Sequence, residues 1–341
     1  MTTMNKDFKK RHDQVFDTLR IISEAASKQG KLVVFIGGSA VQAQLPKPLR
    51  LSFDLDICCA DDDGKIITPL AGEYTVKDNG TSAIFHYYKA TKTKVETKID
   101  VTSIVPPKGA YSQVKLPNDK VFTANVASLE YLLASKLTAI SIGTIGRDAN
   151  KAGHAIQFLK DTFDAGTLID LGFATPTMWD YFEKVCDDEN KLRGTHYTPK
   201  EVADKAVKAL IKANPFHAQT ATTKSVLTTF QEYLIEGRSK QLSFVPHFCK
   251  TAAYLAAYER DHANPENGLP SSAELANLTK DALMEMEGKI LSASIDEQLA
   301  RRLRIEAPES LAYIHSLFFP RKKGGAPITT DTPGVYNPRF G

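Results

Sequence analysis

Val33-Val34-Phe35-Ile36-Gly37-Gly38-Ser39-Ala40, followed by Arg50-Leu51-Ser52-Phe53-Asp54-Leu55-Asp56-Ile57, is the stretch on which the reading of this chain turns. An apolar strand runs into a Gly-Gly-Ser turn. A short helical link follows, and a second apolar strand then carries two carboxylates one residue apart. Residues i and i+2 of a strand point to one face, so Asp54 and Asp56 lie side by side while Leu55 and Ile57 face a core. Two carboxylates held that close repel unless a cation sits between them. Hard oxygen donors on a rigid strand suit Mg²⁺. The turn at Gly37, Gly38 and Ser39 offers backbone N–H groups and a hydroxyl to phosphate oxygens. Together these residues form a candidate site for a metal–nucleotide complex.

A third acid tests the idea. Phosphoryl transfer with two metal ions needs ligands for both, one ion gripping the triphosphate and the other lowering the pKa of the attacking hydroxyl. Lys98-Ile99-Asp100-Val101 supplies a carboxylate on another alternating strand. Asp100 shares a face with Lys98 and opposes Ile99 and Val101. It is expected to complete the site beside Asp54 and Asp56, chiefly for the catalytic ion.

The pattern around these residues predicts an α+β chain. Residues 5–29 read as a helix with Phe8, Val15, Phe16, Leu19, Ile22 and Ala25 on one stripe and Gly30 as its stop. Strands are predicted over 31–36, 51–59, 82–89 and 94–105, with Asp78-Asn79-Gly80 as a turn before the third. Pro106-Pro107-Lys108-Gly109 ends the fourth, and a loop is expected to about residue 120. From 125 onward the period is helical, over 128–140, 149–163, 176–191, 198–212, 221–236, 244–262, 271–292 and 295–317, with no further strand signal. Thr198-Pro199-Lys200-Glu201 is a capping box with Pro at the first helical position. The expected organisation is a small mixed-sheet domain at 1–122, a helical domain at 123–319 and a basic tail at 320–341.

Composition sets the class. At 341 residues, 42% hydrophobic and 24% charged, the chain has the make-up of an ordinary soluble protein with room for two cores. A net charge of +3 neither demands nor excludes nucleic acid, so only clustering matters. Arg301-Arg302-Leu303-Arg304 and Arg321-Lys322-Lys323 read as solvated faces able to hold RNA phosphates. Cys58, Cys59, Cys186 and Cys249 have no CxxC spacing and read as buried free thiols of a reducing compartment. No segment has the pattern of a signal peptide or of a membrane span. A cytoplasmic location is expected.

Gly38-Ser39, then Asp54-x-Asp56, then Lys98-x-Asp100-Val101, resembles the nucleotidyltransferase superfamily that includes DNA polymerase β. The form Gly-Gly-Ser-Ala…Arg-x-Ser-x-Asp-Leu-Asp-Ile is most similar to the AbiE-type abortive-infection nucleotidyltransferase toxins. That family's third motif, an apolar–Lys–apolar helix, matches Leu132-Leu133-Ala134-Ser135-Lys136-Leu137-Thr138-Ala139. Its fourth, Asp-x-x-Asp-apolar preceded by Arg and Lys, is sought at Arg147–Ile156, where both aspartates fall on Ala152 and Ala155. Asp148, His154 and Asp161 are the substitutes in that reading.

The resemblance implies a mechanism. A nucleoside triphosphate binds with Mg²⁺. Ser39 and the N–H groups of Gly38 and Ser39 hold its phosphates, and Asp54 and Asp56 bind metal. Asp100 positions or deprotonates an acceptor hydroxyl, which attacks the α-phosphate as pyrophosphate leaves. Lys136 neutralises the triphosphate, and Lys98 does the same or contacts the acceptor. The implied acceptor is the 3′ end of tRNA. The implied setting is a toxin of phage defence with a cognate antitoxin. Transfer to a protein or small molecule, and nucleotide binding without turnover, are the competing readings.

Overall fold

The computed structural model describes residues 6–60, 64–82, 84–116, 121–146, 153–215, 221–235, 245–261, 265–293 and 295–320. The chain divides into two compact units. One is drawn from Met1–Ser135, Asp187–His196 and Tyr233–Gly237, the other from Lys136–Cys186, Tyr197–Glu232 and Arg238–Gly341. The first unit takes in two segments from later in the chain.

The first unit is built on one mixed sheet. Its strands are β1 (Val34–Ile36), β2 (Asp54–Cys58), β3 (Thr75–Thr81), β4 (Phe85–Lys92), β5 (Val95–Thr102), β6 (Tyr111–Leu116) and β7 (Phe122–Ala127). They lie in the order β3-β4-β5-β2-β1-β7-β6. The β1–β7 and β2–β5 pairs are parallel and the other pairs antiparallel. Helix α1 (Lys6–Lys28) covers one face, packing on β2, β5 and β7. Beneath it Leu55, Ile57, Ile99 and Val101 are buried, as alternation demands. The buried Gln14 of α1 fastens this cover, its Nε2 donating to the Val95 carbonyl and to Thr97 Oγ1 at 3.1 Å each and to the Ala90 carbonyl at 3.4 Å. Helix α2 (Gly37–Gln44) follows β1 directly.

Three local readings are corrected. Asp78-Asn79-Gly80 lies inside β3, where the register to β4 shifts between Asp78 and Thr81 and Gly80 takes φ +87°. The turn signal is absorbed as an irregularity of a strand at the sheet edge. The loop expected up to 120 contains β6, whose outward Ser112, Gln113 and Lys115 mask its alternation. Strand pairing also returns late in the chain. Arg50 and Leu234 form an antiparallel bridge, with Leu51 N–H donating to the Tyr233 carbonyl at 2.7 Å and Ile235 N–H to that of Leu49 at 3.1 Å. The partners of that bridge lie far apart in sequence, so no local pattern announces it.

The remaining helices are α3 (Leu129–Ala139), α4 (His154–Asp170), α5 (Pro176–Arg193), α6 (Pro199–Lys212), α7 (Ala221–Gln231), α8 (Val245–Arg260), α9 (Ser272–Ala276), α10 (Lys280–Ser292), α11 (Glu297–Glu306) and α12 (Pro308–Phe318). The capping box at Thr198 and Glu201 is formed in both directions. In the second unit α4, α6 and α12 pack on α8, burying Phe163, Leu210, Phe248 and Leu317. The helices expected at 271–292 and 295–317 are each broken in two. Thr279 caps α10 anew by accepting from Ala282 N–H, and Pro308, which cannot continue α11, opens α12. Residues 321–341, including the basic run at 321–323, lie outside the described residues.

Gln14→Ala removes the donor that joins α1 to the turn end of β4 and β5. It is expected to cost about 1–3 kcal/mol, read as a lower urea midpoint with an unchanged m-value.

Candidate active site

The polar face of the sheet is organised by register. On β2 and β5, Asp54 pairs with Lys98, and Asp56 pairs with Asp100. Opposed residues on neighbouring strands share a face. Asp56 and Asp100 are therefore lateral neighbours, and Asp54 lies two residues along the strand from Asp56. All three are partly exposed. The adjacent Ile36 of β1 pairs with Asp56, which brings the turn that follows β1 against the acids.

That approach requires glycine. Gly37 has φ +74°, and a Cβ there would stand 1.9 Å from Asp56 Oδ2. Neither the backbone conformation nor the space admits a side chain. Gly38 meets a different group, since a Cβ there would lie 2.3 Å from Arg50 Nη2 and 3.2 Å from Ser52 Oγ. Arg50 is buried and donates from Nη1 to the Leu51 carbonyl at 2.9 Å. The side-chain carbonyl of Gln42 accepts from Leu49 N–H at 2.8 Å and Arg50 N–H at 3.2 Å, tying α2 to the segment that leads into β2.

The Ser39 hydroxyl is committed within the protein. It is buried and donates to the Asp54 backbone carbonyl at 2.7 Å. It ties the turn to the acid-bearing strand. The backbone N–H groups at the start of α2 have no intrahelical partners. Cys58, on the same face of β2 as Asp56, is fully buried; burial and the Asp56 charge push its thiol well above the ordinary range. It stays protonated and inert, and all four cysteines are buried thiols outside any disulfide.

The three acids do not form a ready three-donor metal cage. Among the described residues, no group of three His, Cys, Asp or Glu side chains is placed to hold a metal ion. The donor set nonetheless fits Mg²⁺, which binds through one or two carboxylates with water and substrate phosphates completing the octahedron. Asp54 and Asp56 on one strand are such a pair.

In the second unit, Lys136 is buried and meets two acids of α4. Its Nζ lies 2.6 Å from Asp161 Oδ1 and 3.3 Å from Asp164 Oδ2, and both carboxylates are at most 1% exposed. Gln157 Nε2 donates to Asp161 Oδ1 at 3.2 Å. Spacing i, i+3 puts the two acids on one face of the helix. This corrects the placement of the fourth motif. Lys160-Asp161-Thr162-Phe163-Asp164-Ala165 carries the Lys-Asp-x-x-Asp-apolar pattern intact, later than the stretch 147–156. Of the substitutes considered, Asp161 is part of this cluster, His154 opens α4, and Asp148 lies outside the described residues. Asp164 escaped sequence reading. Its signal was two acids in a run otherwise apolar at Phe158, Leu159, Phe163 and Ala165, where carboxylates are buried only if paired.

Two variants follow. Gly37→Ala is expected to fold but to lose nucleotidyl transfer, because relief of the clash must move Asp56 or the turn; thermal melting beside an activity assay separates the two effects. Lys136→Met leaves two buried carboxylates uncompensated and is expected to cost about 3–5 kcal/mol. Adding Asp161→Asn and Asp164→Asn is expected to restore much of that stability in denaturant titration without restoring activity.

No curated protein matches the chain. Among solved structures, the antibiotic-resistance factor ANT(2'')-Ia, whose solution structure is associated with substrate-regulated conformation dynamics, is similar at 13% identity over 53% of this chain and 95% of its own, with a TM-score of 0.33. The family model described as "Nucleotidyl transferase AbiEii toxin, Type IV TA system" matches residues 20–236. That span is well over half of the chain and contains the acids of the sheet, the Gly-Gly-Ser turn and the Lys136 cluster. The chain belongs to the AbiEii family of nucleotidyltransferase toxins of type IV toxin–antitoxin systems.

Proposed function

We propose that this nucleotidyltransferase moves a nucleoside monophosphate from a nucleoside triphosphate to the 3′-terminal hydroxyl of tRNA with Mg²⁺, and that the resulting block of translation is its toxic act in phage defence. The observation that carries the proposal is the lateral pairing of Asp56 with Asp100 beside Gly37. It sets two carboxylates next to a turn of backbone N–H groups, which is the arrangement that nucleotidyl transfer needs.

Asp54 and Asp56 would hold the metal. When bound, Mg²⁺ offsets phosphate charge and lowers the pKa of the attacking hydroxyl. The N–H groups of Gly38 and Ser39 orient the triphosphate, aided by the positive end of α2. Asp100 accepts a hydrogen bond, then the proton, from the acceptor hydroxyl. The oxygen–phosphorus bond forms at the α-phosphate, the bond to the β-phosphate breaks, and pyrophosphate leaves. Positioning and electrostatics supply the catalysis. The role of Lys136 in neutralising phosphate charge is carried from the family resemblance into the same proposal. The Lys-Asp-x-x-Asp-apolar pattern at 160–165 supports turnover over binding alone. A cognate antitoxin is the expected protein partner, as the family implies. Among the described residues no helix is long and apolar enough to cross a membrane.

The test incubates the protein with Mg²⁺, total tRNA, cell-lysate protein and each α-³²P-labelled nucleoside triphosphate in turn. Label on tRNA from one nucleotide is the expected result. Asp56→Asn and Asp100→Asn are expected to reduce it by about 10²-fold or more, and chelation of the metal to remove it. Label on protein with none on tRNA would overturn the acceptor assignment.

A further inference from the structure

A second feature of the polar face is a row of lysines abreast of the catalytic acids. Lys77 of β3 pairs with Lys89 of β4, Lys89 with Lys98 of β5, and Lys98 with Asp54 of β2. Directly opposed residues share a face, so the three cations and Asp54 form one line across four strands. The next line along the strands is Tyr87, Asp100 and Asp56. Beyond it Phe85 sits beside Tyr87, ring centroids 6.1 Å apart and 31° between planes.

Like charges directly opposed in a sheet destabilise it. Lys89 pairs with Glu96 Oε2 at 2.5 Å, and Lys98 faces Asp54 on the neighbouring strand. Lys77 and Lys98 are exposed, and among the described residues neither has a carboxylate within ion-pair distance. Strands lie about 4.8 Å apart, so the row is about 10 Å long. It occupies the β3–β5 side of the acids, whereas the Gly-Gly-Ser turn follows β1 on the other side. The carboxylates therefore stand between a place for the triphosphate and a separate cationic line.

We propose that Lys77, Lys89 and Lys98 form a phosphate track for the single-stranded 3′ end of the acceptor RNA, and that Tyr87 is the surface on which its terminal base stacks. This rests on the reading of the acceptor as RNA and names the side chains that would recognise it. Phosphates on the lysine line and a base on the aromatic pair would deliver the terminal ribose beside Asp100. The recognition is independent of sequence, since every base has a face to stack and every nucleotide a phosphate.

The test measures binding of a fluorescein-labelled single-stranded oligoribonucleotide to the full chain, without nucleotide, across a salt series. Lys77→Ala/Lys98→Ala is expected to lower the slope of log K against log salt by about 1.4, about 0.7 for each lost phosphate contact. Tyr87→Ala is expected to weaken binding roughly 5- to 150-fold, while Tyr87→Phe retains it. An oligonucleotide with an abasic 3′ end should bind the wild type as weakly as the intact one binds Tyr87→Ala, and Tyr87→Ala should add nothing to that loss. An unchanged salt slope in the lysine variant overturns the track. Equal losses in Tyr87→Phe and Tyr87→Ala, or additive losses with the abasic end, overturn the stacking. Either result in a protein that still labels RNA leaves the reaction standing. A wild type that neither binds the oligonucleotide nor labels RNA overturns both.

Discussion

The arrangement of the candidate active site depends on the register of β2 between β1 and β5. A slip of one residue would turn Asp54 and Asp56 into the apolar layer under α1 and expose Leu55 and Ile57. Fully burying an aliphatic side chain contributes about 1.5–3 kcal/mol. Leu55 and Ile57 together oppose such a slip by about twice that amount, before the cost of burying two carboxylates is counted. The hydrophobic face thus places the polar one. Asp56 and Asp100 are side by side because the residues that flank each of them in sequence, Leu55 and Ile57, Ile99 and Val101, must be inside.

Around that register the chain spends its conformational exceptions. Gly37 adopts a left-handed conformation against the Asp56 carboxylate, Ser39 ties its hydroxyl to the Asp54 backbone, and Arg50 is buried behind Gly38. None of these improves packing as an apolar residue would. Each fixes the turn against the acid-bearing strand, and local rules are commonly broken where a site must be held in one geometry. The strap of residues 233–235 onto 49–51 reinforces the entry to β2 from a distant part of the chain.

The Lys136 cluster follows the same logic in the second unit. A lone ammonium or carboxylate would be costly in that interior, and the pairing of one lysine with two aspartates and Gln157 makes it tolerable. An apolar substitute could fill the space with less desolvation. The two faces of the sheet divide the labour in parallel fashion. One is apolar and sets register; the other gathers acids, lysines and aromatics at some expense in like-charge repulsion.

Alternation and turn chemistry in the sequence determined β1, β2, β4 and β5, the shared face of Asp54 and Asp56, the position of Asp100, the glycine turn and most of the helices. These follow from contacts between near neighbours, where period and residue type suffice. Strand β6 was hidden by its polar outward side chains, and the breaks at Thr279 and Pro308 by the continuity of apolar spacing across them. Lys136 stood out as a lysine in an apolar helix, but its partners could not be read, because a buried charge is matched in space rather than at a fixed spacing. Asp161 was one of three substitutes the sequence offered and Asp164 was not among them, and the fold carries both to its ammonium. The cross-strand lines of Lys77, Lys89 and Lys98, and of Tyr87, Asp100 and Asp56, were likewise decided by tertiary structure. A strand's sequence states which residues share a face, while the registers that set one strand's residues beside another's come from long-range packing.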